Sequence, residues 1–110
     1  MTEFEAHLAM VRERFRGRLA GRLASLQAAS RDRAEAPRDE SVLGTIKRLA
    51  HDLAGTAGTF GFSELGDIAA SLEKAVMRAL LSPEETQDIA PALDALTEAI
   101  ETTMAEPKAV

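Results

Sequence analysis

With cysteine absent, His7 and His51 are the two side chains of this chain that could act as ready nucleophiles near neutral pH. An imidazole ordinarily titrates at about pH 6.5, so its neutral, nucleophilic form is abundant in the cell. Other chemistries find little support. Two histidines without cysteine cannot close a metal site unless carboxylates join them, and His7 and His51 share no ligand spacing. Gly55, Gly58 and Gly61 follow a helical segment, whereas a phosphate-cradling loop needs a preceding strand and a Lys-Ser/Thr pair. No serine or threonine sits in a nucleophile's context, and no spacing among the carboxylates singles out an acid/base pair.

His51 stands apart by its position. At about 100° per residue it falls roughly 150° from the centre of its helix's apolar stripe, on the side away from the core. Gly44, Gly55 and Gly58 share that side at offsets of seven before, four after and seven after, and Lys47 precedes His51 by one turn. Glycines remove steric cover, so another protein's surface could approach the ring closely. Lys47 could hold an anion near it by Coulomb attraction. The bland alternative is a frayed helix end carrying a plain surface histidine. His7 has no such setting and reads as surface.

The elements that must position His51 follow from helical periodicity. Phe4, Leu8, Val11, Phe15, Leu19, Leu23 and Leu26 mark a first helix from Phe4 to Ala29, with Gly17 and Gly21 unexplained on its other side. Ser30 to Arg38 reads as a connection. A second helix starts near Arg38 or Asp39, with Pro37 tolerated at its first turn, and its inner face is Val42, Leu43, Ile46, Leu49, Ala50 and Leu53. Gly61 is its expected stop. A third runs from Phe62 to Leu81 on Leu65, Ala69, Leu72 and Val76, with Ile68 and Leu80 at the edges. Ser82-Pro83-Glu84-Glu85 predicts a capping box for a fourth, on Ile89, Leu93, Leu96, Ile100 and Met104. Pro91 inside it predicts a kink or a later start, and Pro107 its end. The predicted architecture is all-α, an antiparallel up-and-down four-helix bundle.

Bulk properties agree. A chain of 110 residues with 45% hydrophobic residues fits one domain, 1–110, with residues 1–3 and 105–110 expected as frayed tails. A net charge of −5 argues against nucleic acid as the main partner, and four phenylalanines offer no stacking platform for bases. Arg12, Arg14, Arg16, Arg18 and Arg22 crowd one segment and read mostly as solvated surface, with docking as the alternative. No apolar run approaches a membrane span, and the acidic, mixed N-terminus is unlike a signal peptide, so a soluble cytoplasmic protein is expected. The Met1 start suggests a free-standing protein, though a fragment would begin the same way.

The segment Leu49-Ala-His51-Asp-Leu53-Ala-Gly55-Thr-Ala57-Gly-Thr-Phe60-Gly61-Phe62, followed by Leu65, Leu72 and Glu73, resembles the histidine phosphotransfer (HPt) family of multistep phosphorelays. The match is a His, a Leu two later, Gly at four, a small residue at six, an apolar residue before Gly at ten, and a Leu-Glu pair on the next helix. It covers about a quarter of the chain. One position departs: the family often has Lys three residues after the His, and here it is Ala54.

The resemblance implies a phosphocarrier and not an enzyme. His51 would take a phosphoryl group and return it to a receiver aspartate, with Glu73 orienting the imidazole and Lys47 or Arg48 partly substituting for the missing lysine. The docking face would include Gly44, Lys47, Arg48, Ala54, Gly55 and Gly58. Expected partners are response regulator receiver domains and a sensor or hybrid histidine kinase, with neither nucleic acid nor membrane involved. The Mg²⁺ would be held by the receiver, with no cofactor on this chain. A monomer is expected because the helices look single-faced. The competing reading is a helical adaptor that docks receiver or kinase domains without carrying phosphate, which Ala54 keeps open.

Overall fold

In the computed structural model, which describes residues 1–106, five helices follow one another with no strand among the described residues. They are α1 (Glu3–Gly17), α2 (Leu19–Glu35), α3 (Glu40–Thr59), α4 (Ser63–Leu81) and α5 (Ile89–Ala105). Helices α2 to α5 pack each on its chain neighbours, and α5 closes back onto α2, which is the up-and-down four-helix bundle. The expected end of the last helix at Pro107 lies outside the described residues.

The predicted first helix is real but longer, and interrupted. At Arg18 (φ −88°, ψ −8°) the backbone N–H bonds back to the Phe15 carbonyl at 3.0 Å, a tight three-residue turn. Gly17, just before it, weakens the helix there, which gives that glycine an account. Helical bonding then resumes, and Phe15 and Leu19 are both buried across the interruption. Thr2 accepts from the Glu5 N–H at 3.1 Å, so α1 starts at Glu3, inside the tail expected over residues 1–3. The helix continues past Ala29 to Glu35, because Ala29 still faces the core and the following Arg, Asp, Ala and Glu tolerate helix. The connection shrinks to residues 36–39.

Part of the predicted stripe is not covered. Every residue from Met1 to Met10 is exposed, with Phe4 at 74% and Leu8 at 39%. A 20-residue helix is about 30 Å long. The molecule extends 52 Å along its longest axis, so the first half of α1 runs past the bundle.

Local chemistry sets the other ends. Asp39 caps α3, its side chain accepting from the Ser41 and Val42 N–H groups at 2.8 and 3.2 Å, which leaves Pro37 in the preceding turn and outside the helix. Gly61 ends α3 at φ +86°, and the Phe62 N–H to the Ala57 carbonyl with the Gly61 N–H to the Gly58 carbonyl completes a Schellman motif. The expected Ser82 capping box does not form. Ser82 instead closes α4, residues 83–88 form turns, and α5 starts at Ile89. Pro91 is its third residue, where the missing N–H would have had no helical partner anyway.

The core joins Leu19 and Leu26 to Ile46, Leu53, Leu72, Val76, Ile89, Leu93, Leu96 and Ile100. Thr103, and not Met104, completes the α5 stripe; Met104 is 39% exposed, while the Thr103 hydroxyl donates to the Ala99 carbonyl at 2.8 Å. Gly66, which the sequence pattern did not flag, is buried where α4 crosses α3. A Cβ there would stand 3.2 Å from the Ala54 carbonyl oxygen and 3.3 Å from the Gly58 nitrogen. This close approach brings α4 against the His51 helix.

Candidate functional site

His51 sits in the middle of α3 with its side chain 70% exposed, so a partner can reach the ring. Its Nδ1 lies 2.7 Å from Glu73 Oε2 on α4, whose side chain is only 20% exposed. The close α3–α4 packing at Gly66 and the inward Leu72 beside Glu73 fix where that carboxylate stands. With Glu73 ionised, Nδ1 carries the proton and Nε2 keeps its lone pair on the other edge of the ring. A pair this exposed contributes only about 0–1 kcal/mol to stability. Its chemical effect is orientation: one tautomer, one ring plane, one free nitrogen.

The glycines around His51 answer to nothing inside the fold. A Cβ at Gly44, Gly55 or Gly58 would meet open space. Internal packing therefore gives no reason for glycine at these three positions, whereas at Gly61 and Gly66 it does. Ala54 is half-buried beside Gly66, its carbonyl in contact with α4. Lys47 is half-buried and Arg48 exposed, and neither forms an ion pair among the described residues. His7 is exposed and remote in sequence from the other site residues.

One residue of the site escaped the sequence reading. A shallow open depression of about 530 Å³ beside the ring is lined by His51, Asp52, Gly55, Thr56, Thr59 and Phe60 of α3 and its cap, and by Arg22 of α2. The buried positions of the first rod are Phe15, Leu19, Leu26 and Ala29, and Arg22 fills the gap in that series. An arginine at an inward position was the available signal. Arg12, Arg14 and Arg18 of the arginine cluster are exposed, as expected, while Arg16 and Arg22 are half-buried. Arg16 Nε donates to the Thr103 carbonyl at 3.1 Å, and Arg12 stacks over the Phe62 ring at 5.2 Å from its centroid.

The described residues thus form a four-helix bundle with the His51 imidazole exposed on α3 and bonded to a carboxylate of the neighbouring helix. The chain matches the Hpt domain family over residues 10–105, and it belongs to that family. Membership implies phosphotransfer in phosphorelay signalling, with the domain acting as a carrier and exchanging with kinases and receiver domains. No curated protein and no solved structure matches the chain. No helix among the described residues is long and apolar enough to cross a membrane.

Proposed function

We propose that His51 is the phosphoacceptor and that the chain relays a phosphoryl group between receiver aspartates, or from a histidine kinase to a response regulator. The observation that carries this reading is the 2.7 Å contact of Nδ1 with Glu73 beneath an imidazole that is 70% exposed. Nε2 attacks the phosphorus of a receiver's aspartyl phosphate, the N–P bond forms, and the bond to the acyl oxygen breaks. The electron pair leaves with the aspartate carboxylate. The ring, which keeps its Nδ1 proton, gains positive charge, and Glu73 offsets that charge through the hydrogen bond it already accepts. The reverse step returns the phosphoryl group to an aspartate.

In-line positioning and charge stabilisation dominate such a transfer. The partner receiver supplies the Mg²⁺, and this chain brings no cofactor of its own. It acts as a monomer in the cytoplasm. Gly44, Lys47, Arg48, Ala54, Gly55 and Gly58 form the docking face, because glycines open to solvent let a partner's backbone approach the ring. Lys47 adds positive charge at one rim of that face. The adaptor reading draws on Ala54, where the family's usual lysine is missing.

The test is transfer of labelled phosphate from phosphorylated receivers, with His51→Gln in parallel. Acid-labile label on the natural chain and none on the variant is the expected result. An unlabelled natural chain across several receivers would move the adaptor reading ahead.

A further inference from the structure

We propose that Arg22, reaching across from α2, is the cation that binds the phosphoryl group on His51; this rests on the reading of His51 as the phosphoacceptor. A phosphoryl group on Nε2 is an exposed anion of about two charges that needs a cation on the Nε2 side of the ring. Glu73 holds Nδ1 from the α4 side. Nε2, on the other edge of the imidazole, is therefore turned toward α2 and the depression that Arg22 lines.

Register puts Arg22 at the right height. The Phe15 and Phe60 rings are 5.8 Å apart, which fixes the register of α1 and α2 against α3, and the short 36–39 connection makes α2 and α3 antiparallel. Two helical turns along the first rod lead to Arg22, and two turns back along α3 lead to Leu53. His51 is two residues further, a rise of about 3 Å. Arg22 also falls at the helical step between the buried Leu19 and Leu26, is half-buried, and lines the depression together with His51. Half-burial restricts the side chain before any anion arrives, which reduces the entropy lost on binding.

The rival cations are less well placed. Lys47 and Arg48 precede His51 on α3 by about a turn and do not line the depression, which opens toward the other end of the helix; Lys47 also lies about 40° around the helix on the Glu73 side. No carboxylate lies within ion-pair distance of Arg22 among the described residues, although Asp52 shares the depression. Its guanidinium is free to take an anion.

The experiment uses phosphoramidate as a small-molecule donor, so that no partner surface is involved. Its P–N bond breaks as Nε2–P forms, and ammonia leaves. The natural chain, Arg22→Met and Arg22→Lys are compared, Met keeping an apolar stem without the charge. Phosphorylation of His51 is followed by ³¹P NMR, with His51→Gln as the blank. We expect Arg22→Met to take up phosphate about tenfold more slowly, less than the roughly hundredfold or more for loss of a buried transition-state donor because the site is open. The phosphoryl group's own titration should also move up by about half a unit in Arg22→Met, a shift that altered packing would not produce. Arg22→Lys should recover most of both effects. If the natural chain takes label and Arg22→Met matches it in rate or in titration, Arg22 is not the phosphoryl-binding cation. If the natural chain takes no label on His51, the phosphoacceptor reading fails and this inference fails with it.

Discussion

Replacing Glu73 by Ala removes the one polar contact that holds the His51 ring among the described residues. A hydrogen bond with a charged partner is worth about 1.5–3 kcal/mol where water is excluded. Here the imidazole is 70% exposed while the carboxylate is 20% exposed, so water takes over part of the role. A loss at the low end, about 1.4 kcal/mol, corresponds to a tenfold slower phosphorylation of His51. Two effects contribute: the ring regains its other tautomer and orientation, and the positive charge that develops on it loses its counter-charge. Glu73→Gln keeps an acceptor without the charge and should fall between the natural chain and Glu73→Ala. The assay is single-turnover transfer of labelled phosphate from a phosphorylated receiver, alongside thermal unfolding followed by helical circular dichroism. Stability should barely change, because so exposed a pair adds only about 0–1 kcal/mol. A Glu73→Ala rate within twofold of the natural chain, on an intact fold, would remove Glu73 from the mechanism.

Gly55→Arg should block transfer from a receiver while leaving the melting curve in place, since a side chain there meets open space within the molecule; unimpaired transfer would refute the docking face. Gly66→Val should do the opposite. Its Cβ would stand 3.2 Å from the Ala54 carbonyl oxygen, forcing α3 and α4 apart at a cost of about 1–3 kcal/mol, measured as a lowered urea midpoint. A melting curve unchanged by Gly66→Val would show that the α3–α4 contact is looser than its geometry indicates.

The site was half legible in the sequence. The motif around His51 and the Leu72-Glu73 pair depend on offsets within a helix, and a period of 3.6 residues turns such offsets into faces without any knowledge of the fold. The pairing of His51 with Glu73 came from the family resemblance, and the distance of 2.7 Å came from the packing of α3 on α4. Arg22 was passed over because Leu23, one residue on, served as well in an apolar stripe. Leu23 does pack against the core, and that Arg22 beside it lines the His51 depression depends on where α3 lies. Gly66 was missed for the same reason: a glycine inside a helix marks a close crossing only when the second backbone is known.

The sequence by itself determined the four-helix pattern, the Gly61 stop, the Asp39 region as a helix start and the placing of His51 on an outer face. These rest on interactions within a few residues: apolar spacing, caps, and the freedom of glycine at positive φ. Tertiary structure decided the rest. It chose Thr103 over Met104 for the core, left Phe4 and Leu8 of α1 uncovered, moved the start of α5 from Ser82 to Ile89, and brought Arg22 beside the imidazole. Each of these turns on a surface supplied by another helix, and burial against a neighbour outweighs the few tenths of a kcal/mol that separate local alternatives.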